Sequence, residues 1–196
     1  MNPQETGLSR ERLEQLHRIA SAAVEAGAKP REPEPMERLK RLLEGVPSEL
    51  ETPSGAFVAL EKQGRLRGCI GYIQPHKPLF QTVAENGINA ALCDRRFSPL
   101  APGELDGLEV EVSVLTPPET VDSYLYFDLG EEGVILEKNG HSAVFLPEVA
   151  VEQGWDREQT LTQLSQKAGL PPDAWRQGAS FKTFRSIKYS APRTGE

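Results

Sequence analysis

The stretch RLRGCIGYI, residues 65–73, sets one cysteine between glycines in a run that otherwise alternates like a β-strand, directly after two arginines. A thiolate is a nucleophile, and a neighbouring cation lowers the pKa of its thiol. Two-residue alternation puts Arg67 and Cys69 on one strand face, roughly 7 Å apart at the Cα. Nucleophilic catalysis by Cys69 also needs a base, for which His76 and His141 are the candidates. The plainer alternative is a small residue packed in a tight strand, the commoner state of a free cysteine. Gly68 and Gly71 fit either reading, since glycine inside a strand marks a place where a ligand or another backbone comes close.

A second group of residues lies in CDRRFSP, residues 93–99. Arginine after a helix complements the negative end of its dipole. One arginine suffices for that; Arg96 with Asp94 suits a loop that holds a carboxylate or phosphate in a bidentate fork. The structural alternative pairs Arg95 or Arg96 with Glu109 or Glu111. Glu109, Glu111 and Ser113 project from one face of the strand at 108–115, which is either a solvated face or, if Glu111 faces the glycine-bearing strand, one wall of a pocket. That pocket would contain Arg67, Cys69, Asp94, Arg96, Glu111 and Ser113, with Gly68 and Gly71 leaving the room. No metal or cofactor is expected, because the three histidines and two cysteines show no HxH, HxxxH or CxxC spacing. There is no phosphate-binding glycine loop or nucleophile elbow either.

The elements that position these residues follow from periodicity. Ser9 caps a helix whose Leu13, Leu16, Ala20, Ala23 and Val24 form an apolar stripe closed by Gly27, with His17 as a packed histidine on it. Prolines 30, 33 and 35 break that pattern before a short helix carrying Leu39, Leu42 and Leu43. From Gly55 the period becomes two: GAFVALEK and RLRGCIGYI flank the turn Gln63-Gly64 as a β-hairpin. Pro75 and Pro78 end it, and a helix with Leu79, Val83, Ile88 and Ala91 runs to Cys93. The strand at 108–115 turns Leu108, Val110, Val112 and Val114 to one side. The tail FKTFRSIKY adds a further strand.

LEKQG at 60–64 recurs as LEKNG at 136–140, an offset of 76 residues. Each follows an apolar run and leads through a short strand and a proline-marked loop to an amphipathic helix, the second opened by a capping box at Asp156 and Gln159. These features point to an internal duplication over about 55–93 and 133–168. Where the first copy has Arg67-Gly68-Cys69-Ile70-Gly71, the second has Ala143-Val144-Phe145-Leu146-Pro147. If the copies pack alike, the first leaves a gap.

Composition narrows the class. A chain of 196 residues with 38% hydrophobic and 26% charged residues is one globular unit by default, residues 1–50 forming an N-terminal helical segment. No run approaches the ~20 apolar residues of a membrane span. The polar start lacks the apolar core of a signal peptide, so a cytoplasmic protein with free thiols is expected. A net charge of −7 works against nucleic acid and acidic lipid as partners.

LRGCIG (66–71), DRRFSPL (94–100), EVSVLTPPE (111–119), FLPEVAVEQGWD (145–156) and KAGLPPDAW (167–175) together resemble the AMMECR-type domain, known in prokaryotes as AmmeMemoRadiSam system protein A. The resemblance runs from about residue 50 to near the end. It implies an α+β fold of two β-α-β-β repeats with exchanged strands, preceded here by N-terminal helices. His141-Ser142-Ala143 stands where the family leads one to expect a more basic, glycine-containing turn. The resemblance brings a setting, beside a radical-SAM enzyme and a Memo-like protein, and no settled reaction. Two functions follow: a small-molecule-binding component of that pathway, or a non-catalytic adaptor in which the glycine-rich strand only packs. A nucleic-acid binder is the weaker third, and the residues leave open whether the protein is an enzyme.

Overall fold

The computed structural model describes residues 8–194; the polar start at 1–7 lies outside them. Helix α1 (Arg10–Ala28) begins where Ser9 Oγ accepts the Arg12 N–H at 3.3 Å, satisfying a donor that has no partner inside the helix. Helix α2 (Pro33–Leu43) starts earlier than the prolines suggested, with Pro33 and Pro35 inside its first turn. Proline is tolerated there because those N–H groups have no helical acceptor.

Strands β1 (Ala56–Lys62) and β2 (Arg65–Tyr72) form the first hairpin, followed by α3 (Leu79–Leu92) and β3 (Leu108–Leu115), as periodicity predicted. The sequence reading missed the three-residue β4 (Glu119–Val121). The second hairpin pairs β5 (Gly133–Lys138) with β6 (His141–Phe145). The expected proline-marked loop after it contains a helix, α4 (Pro147–Gln153), before α5 (Arg157–Lys167) with its Asp156–Gln159 capping box. The tail supplies two strands, β7 (Ser180–Phe184) and β8 (Ser186–Pro192), that belong to different sheets.

The fold is α+β, with two four-stranded sheets among the described residues, ordered β2-β1-β3-β8 and β4-β7-β5-β6. The second order, reversed, is β6-β5-β7-β4, so each sheet is a hairpin, then a third strand, then a strand that follows the third strand of the other sheet.

Two compact units result, one holding the chain up to Leu115 and again from Ile187, the other Thr116–Ser186. In the first, α1 and α3 bury Leu16, Ile19, Val24, Leu79 and Val83 with Val58, Leu60, Val110 and Val112 of the sheet. Fully burying one such side chain contributes about 1.5–3 kcal/mol. In the second, α5 brings Leu161 and Leu164 into a core with Val134, Leu136, Trp175 and Phe181. No helix among the described residues is long and apolar enough to cross a membrane.

Candidate functional site: the outer edge of strand β2

Strand β2 lies at the edge of its sheet, so its outer backbone groups need partners from elsewhere. The loop after α3 supplies them. Asp94 is buried, and its Oδ2 accepts the Cys69 N–H at 2.8 Å. The same carboxylate accepts the Arg96 N–H at 3.1 Å, Arg96 Nε at 3.0 Å and Arg96 Nη2 at 2.7 Å. Hydrogen bonds from the Arg96 guanidinium, then from the Cys69 and Arg96 backbone, hold the Asp94 carboxyl far below the usual carboxylate range against the opposing effect of burial. Arg96 is raised in turn, first by Asp94, with a contribution from attraction to Cys69. Arg96 Nη2 also approaches the Cys69 carbonyl oxygen at 3.5 Å.

Arg67 does not share the Cys69 face in the way alternation predicts. Leu60 pairs with Gly68 and Glu61 with Leu66, so Arg67 is the extra residue of a β-bulge. A bulge re-aims its side chain. Arg67 meets Glu104 in a two-point pair, Nε to Oε1 at 2.8 Å and Nη2 to Oε2 at 2.9 Å, and its Nη1 donates to Ser98 O at 3.0 Å. Glu104 also accepts the Ala101 N–H, and its pKa falls to about 2, chiefly through the Arg67 hydrogen bond. The Phe97 ring lies 5.9 Å from the Arg67 guanidinium and 5.5 Å from that of Arg96. Sequence reasoning missed Glu104 and Phe97; a Pro-Gly-Glu turn carries no signal that its acid meets an arginine 37 residues earlier.

The gap expected beside Cys69 is not there. A Cβ on Gly68 would stand 2.4 Å from the Ala90 carbonyl oxygen of α3, and one on Gly71 would stand 2.2 Å from the Phe57 ring. Both glycines permit close packing, so the reading of them as makers of empty space is corrected.

Glu111 and Ser113 fall on the Cys69 side of the sheet, opposite Ala59 and Phe57 of β1, with Ala59 between Cys69 and Glu111. They form their own group: Ser113 Oγ donates to Glu111 Oε1 at 3.3 Å and Lys188 pairs with Glu111 at 3.2 Å. The site thus joins Arg67, Cys69, Asp94 and Arg96 through one loop, and sets Glu111 and Ser113 two strands away. The pairing of Arg96 with Glu109 or Glu111, weighed from the sequence, gives way to Asp94. Of the candidate bases, His76 lines a cleft of about 210 Å³ with Tyr72, Lys77 and Glu85, and His141 belongs to the second unit with its Nδ1 3.0 Å from Ala168 O. Among the described residues, no three His, Cys, Asp or Glu side chains gather as a metal ion requires.

The fold and this loop-sealed strand edge define an α+β protein whose edge strand is closed at Cys69 by the Asp94–Arg96 loop. The AMMECR1 family model matches residues 17–189, and the chain belongs to that family. A protein of Methanothermobacter thermautotrophicus is 42% identical over 174 residues, covering 86% of this chain and 88% of that one. Protein TK0174 of Thermococcus kodakarensis is 45% identical over 151 residues, or 70% of this chain and 74% of that protein. The crystal structure of the uncharacterized protein PH0010 from Pyrococcus horikoshii is similar with a TM-score of 0.83 at 35% identity, over 96% of each chain.

Proposed function

We propose that this AMMECR1-family protein is a small-molecule-binding component of a cytoplasmic pathway, acting alongside a radical-SAM enzyme and a Memo-like protein, and that Cys69 is its point of contact with the ligand. One observation carries the reading. Asp94 grips the Cys69 backbone and the Arg96 guanidinium with one carboxylate, and Arg96 Nη2 lies 3.5 Å from Cys69 O, so a cation is held at the residue that carries a half-buried thiol. A guanidinium beside a thiol favours the thiolate, the form that attacks an electrophile or ligates a soft group. The pathway setting rests on the resemblance of LRGCIG and its companion motifs to the AMMECR-type domains of AmmeMemoRadiSam systems. The acidic balance of the chain argues against nucleic acid as the partner.

The test is alkylation, with exposed Cys93 as an internal reference. Cys69 is expected to react with iodoacetate well below the ~8.5 of an ordinary thiol, faster than Cys93, and more slowly after Arg96→Gln. Labelling of Cys69 only after unfolding sinks the reading and promotes the adaptor. One observation favours that second reading: the Ala90 carbonyl and the Phe57 ring close on Gly68 and Gly71, as in a strand built for packing. An adaptor would keep its partners when Cys69→Ser is introduced.

A further inference from the structure

A cleft of about 550 Å³ in the second unit opens beside the tip of its hairpin, lined by Glu137, Lys138, Asn139, His141, Ser142 and Ser180 among others. Its charges are unevenly matched. Lys182 takes both Glu137 carboxylate oxygens at 3.0 Å, which neutralises the acid. Lys138 donates to Ala174 O at 2.9 Å and Gln177 O at 2.7 Å. These partners are neutral carbonyls, and among the described residues no carboxylate pairs with Lys138. The ammonium is thereby held in place while its charge stays uncompensated. The corresponding lysine of the first hairpin, Lys62, also donates to a carbonyl, Glu104 O at 2.9 Å, on a residue whose carboxylate is held by Arg67.

His141 completes the cleft's chemistry. Its Nδ1 faces Ala168 O at 3.0 Å, a carbonyl that can only accept, so Nδ1 carries the proton and Nε2 is left for a ligand. Protonated, the same nitrogen donates. The Asn139 amide and the Ser142 hydroxyl add neutral donors around the same opening, while the Ser180 hydroxyl donates to Glu137 O at 3.3 Å. A fixed ammonium, an imidazole and a hydroxyl suit a group with several acceptor oxygens and negative charge.

We infer that this cleft binds a small oxyanion, a phosphate or carboxylate group, between Lys138 and His141. The site is separate from the Cys69 edge and does not depend on the thiol's reactivity.

Phosphate and malonate, each titrated into the full chain at constant ionic strength, should move the His141 imidazole resonances saturably. Lys138→Met should weaken that binding about tenfold, the loss expected for one charge-assisted hydrogen bond, and Lys62→Met should leave it unchanged. Tighter binding of phosphate assigns a phosphoryl ligand, tighter binding of malonate a carboxylate. No saturable movement with either anion, or equal affinity in Lys138→Met, overturns the inference. Should Lys138→Met fail to fold, His141→Gln decides by calorimetry: a several-fold loss of anion affinity supports the site, and unchanged affinity overturns it.

Discussion

Hairpins β1–β2 and β5–β6 share a turn and differ in how their outer strands are sealed. Both turns put two successive residues at positive φ: Gln63 at 53° and Gly64 at 70°, Asn139 at 51° and Gly140 at 81°. Each hairpin lysine before the turn, Lys62 or Lys138, fastens to backbone carbonyls of a short 3-10 segment or its flank. Each outer strand is an edge whose exposed backbone is answered by a charged side chain, from the loop after α3 in one unit and from the last turn of α5 in the other. On β2 the answer is an acid, Asp94, taking the Cys69 N–H; on β6 it is a base, Lys167, giving to Val144 O at 2.8 Å. Opposite charges thus solve the same edge problem. The choice has a consequence: an acid at the first edge draws in Arg96 and holds its guanidinium at the Cys69 backbone, whereas at the second edge Lys167 sits 4.7 Å from the centre of the Phe145 ring.

The comparison is most sharply tested where the hairpins differ in bulk. Gly68→Val drives side-chain atoms into the Ala90 backbone, which cannot swing aside, so a loss of about 3 kcal/mol or more is expected. In the second hairpin Ala143 stands opposite Leu136 as Gly68 stands opposite Leu60, and Ala143→Gly removes one buried methyl and adds chain freedom, at about 1 kcal/mol. Urea midpoints at unchanged m-value measure both. An unchanged midpoint for Gly68→Val would restore the open gap beside Cys69.

Much of this was legible beforehand. Alternation placed β1, β2 and β3, helical spacing placed α1 and α3, and the capping box placed α5, because local pattern dictates local structure in those segments. The site was legible as a set of residue types and less so as geometry. Arg67 and Cys69 looked like same-face neighbours until a bulge turned Arg67 toward Glu104, and no two-residue period reveals a bulge. The glycines announced a close approach, but what approaches is a helix carbonyl and a phenyl ring. The two tail strands were merged because nothing in FKTFRSIKY except Arg185 marks the point at which the chain changes sheets.

The acid at the first edge makes a prediction about pH. Asp94 and Glu104 both have carboxyl groups depressed in the folded state by arginine, the latter to about 2. Depressed acids stabilise above their unfolded values, near 3.9 and 4.3, and lose that contribution as pH falls through the folded ones. Unfolding followed by a probe in the first unit should therefore steepen below about pH 4, and Asp94→Asn should flatten that limb while costing about 2 kcal/mol at neutral pH. A limb unaltered by Asp94→Asn would remove the acid from the sealing of β2.

His17 acts on the same unit over a higher range. It is buried, with Nε2 3.1 Å from Ala191 O of β8, and burial lowers its pKa below the ordinary 6.5. Folding then favours the neutral ring, so its contribution is complete above about pH 6.5 and declines as pH falls toward the folded value. His17→Gln should remove the pH dependence of stability just below neutrality. A retained slope would place it on another group.

The smallest expected effect lies in the turns. With both central residues at positive φ, the hairpins need residues that tolerate the left-handed region, and Asn-Gly is the favoured pair. The second hairpin has it, and the first places Gln63 in the left-handed region, which the short polar side chain of asparagine suits better. The left-handed conformation costs an ordinary residue about 1 kcal/mol or more, and asparagine recovers part of it. Gln63→Asn should therefore stabilise the first hairpin by about 0.5 kcal/mol, and Asn139→Gln should destabilise the second by a similar amount. Chemical denaturation resolves shifts of this size when the two variants and their combination are measured together. The double variant, with the turn chemistry exchanged between hairpins, should return to the parent midpoint, because sites with no shared partners add. Effects of the same sign at both positions would show that the turns are held by their surroundings and that the shared backbone conformation has different causes in the two halves.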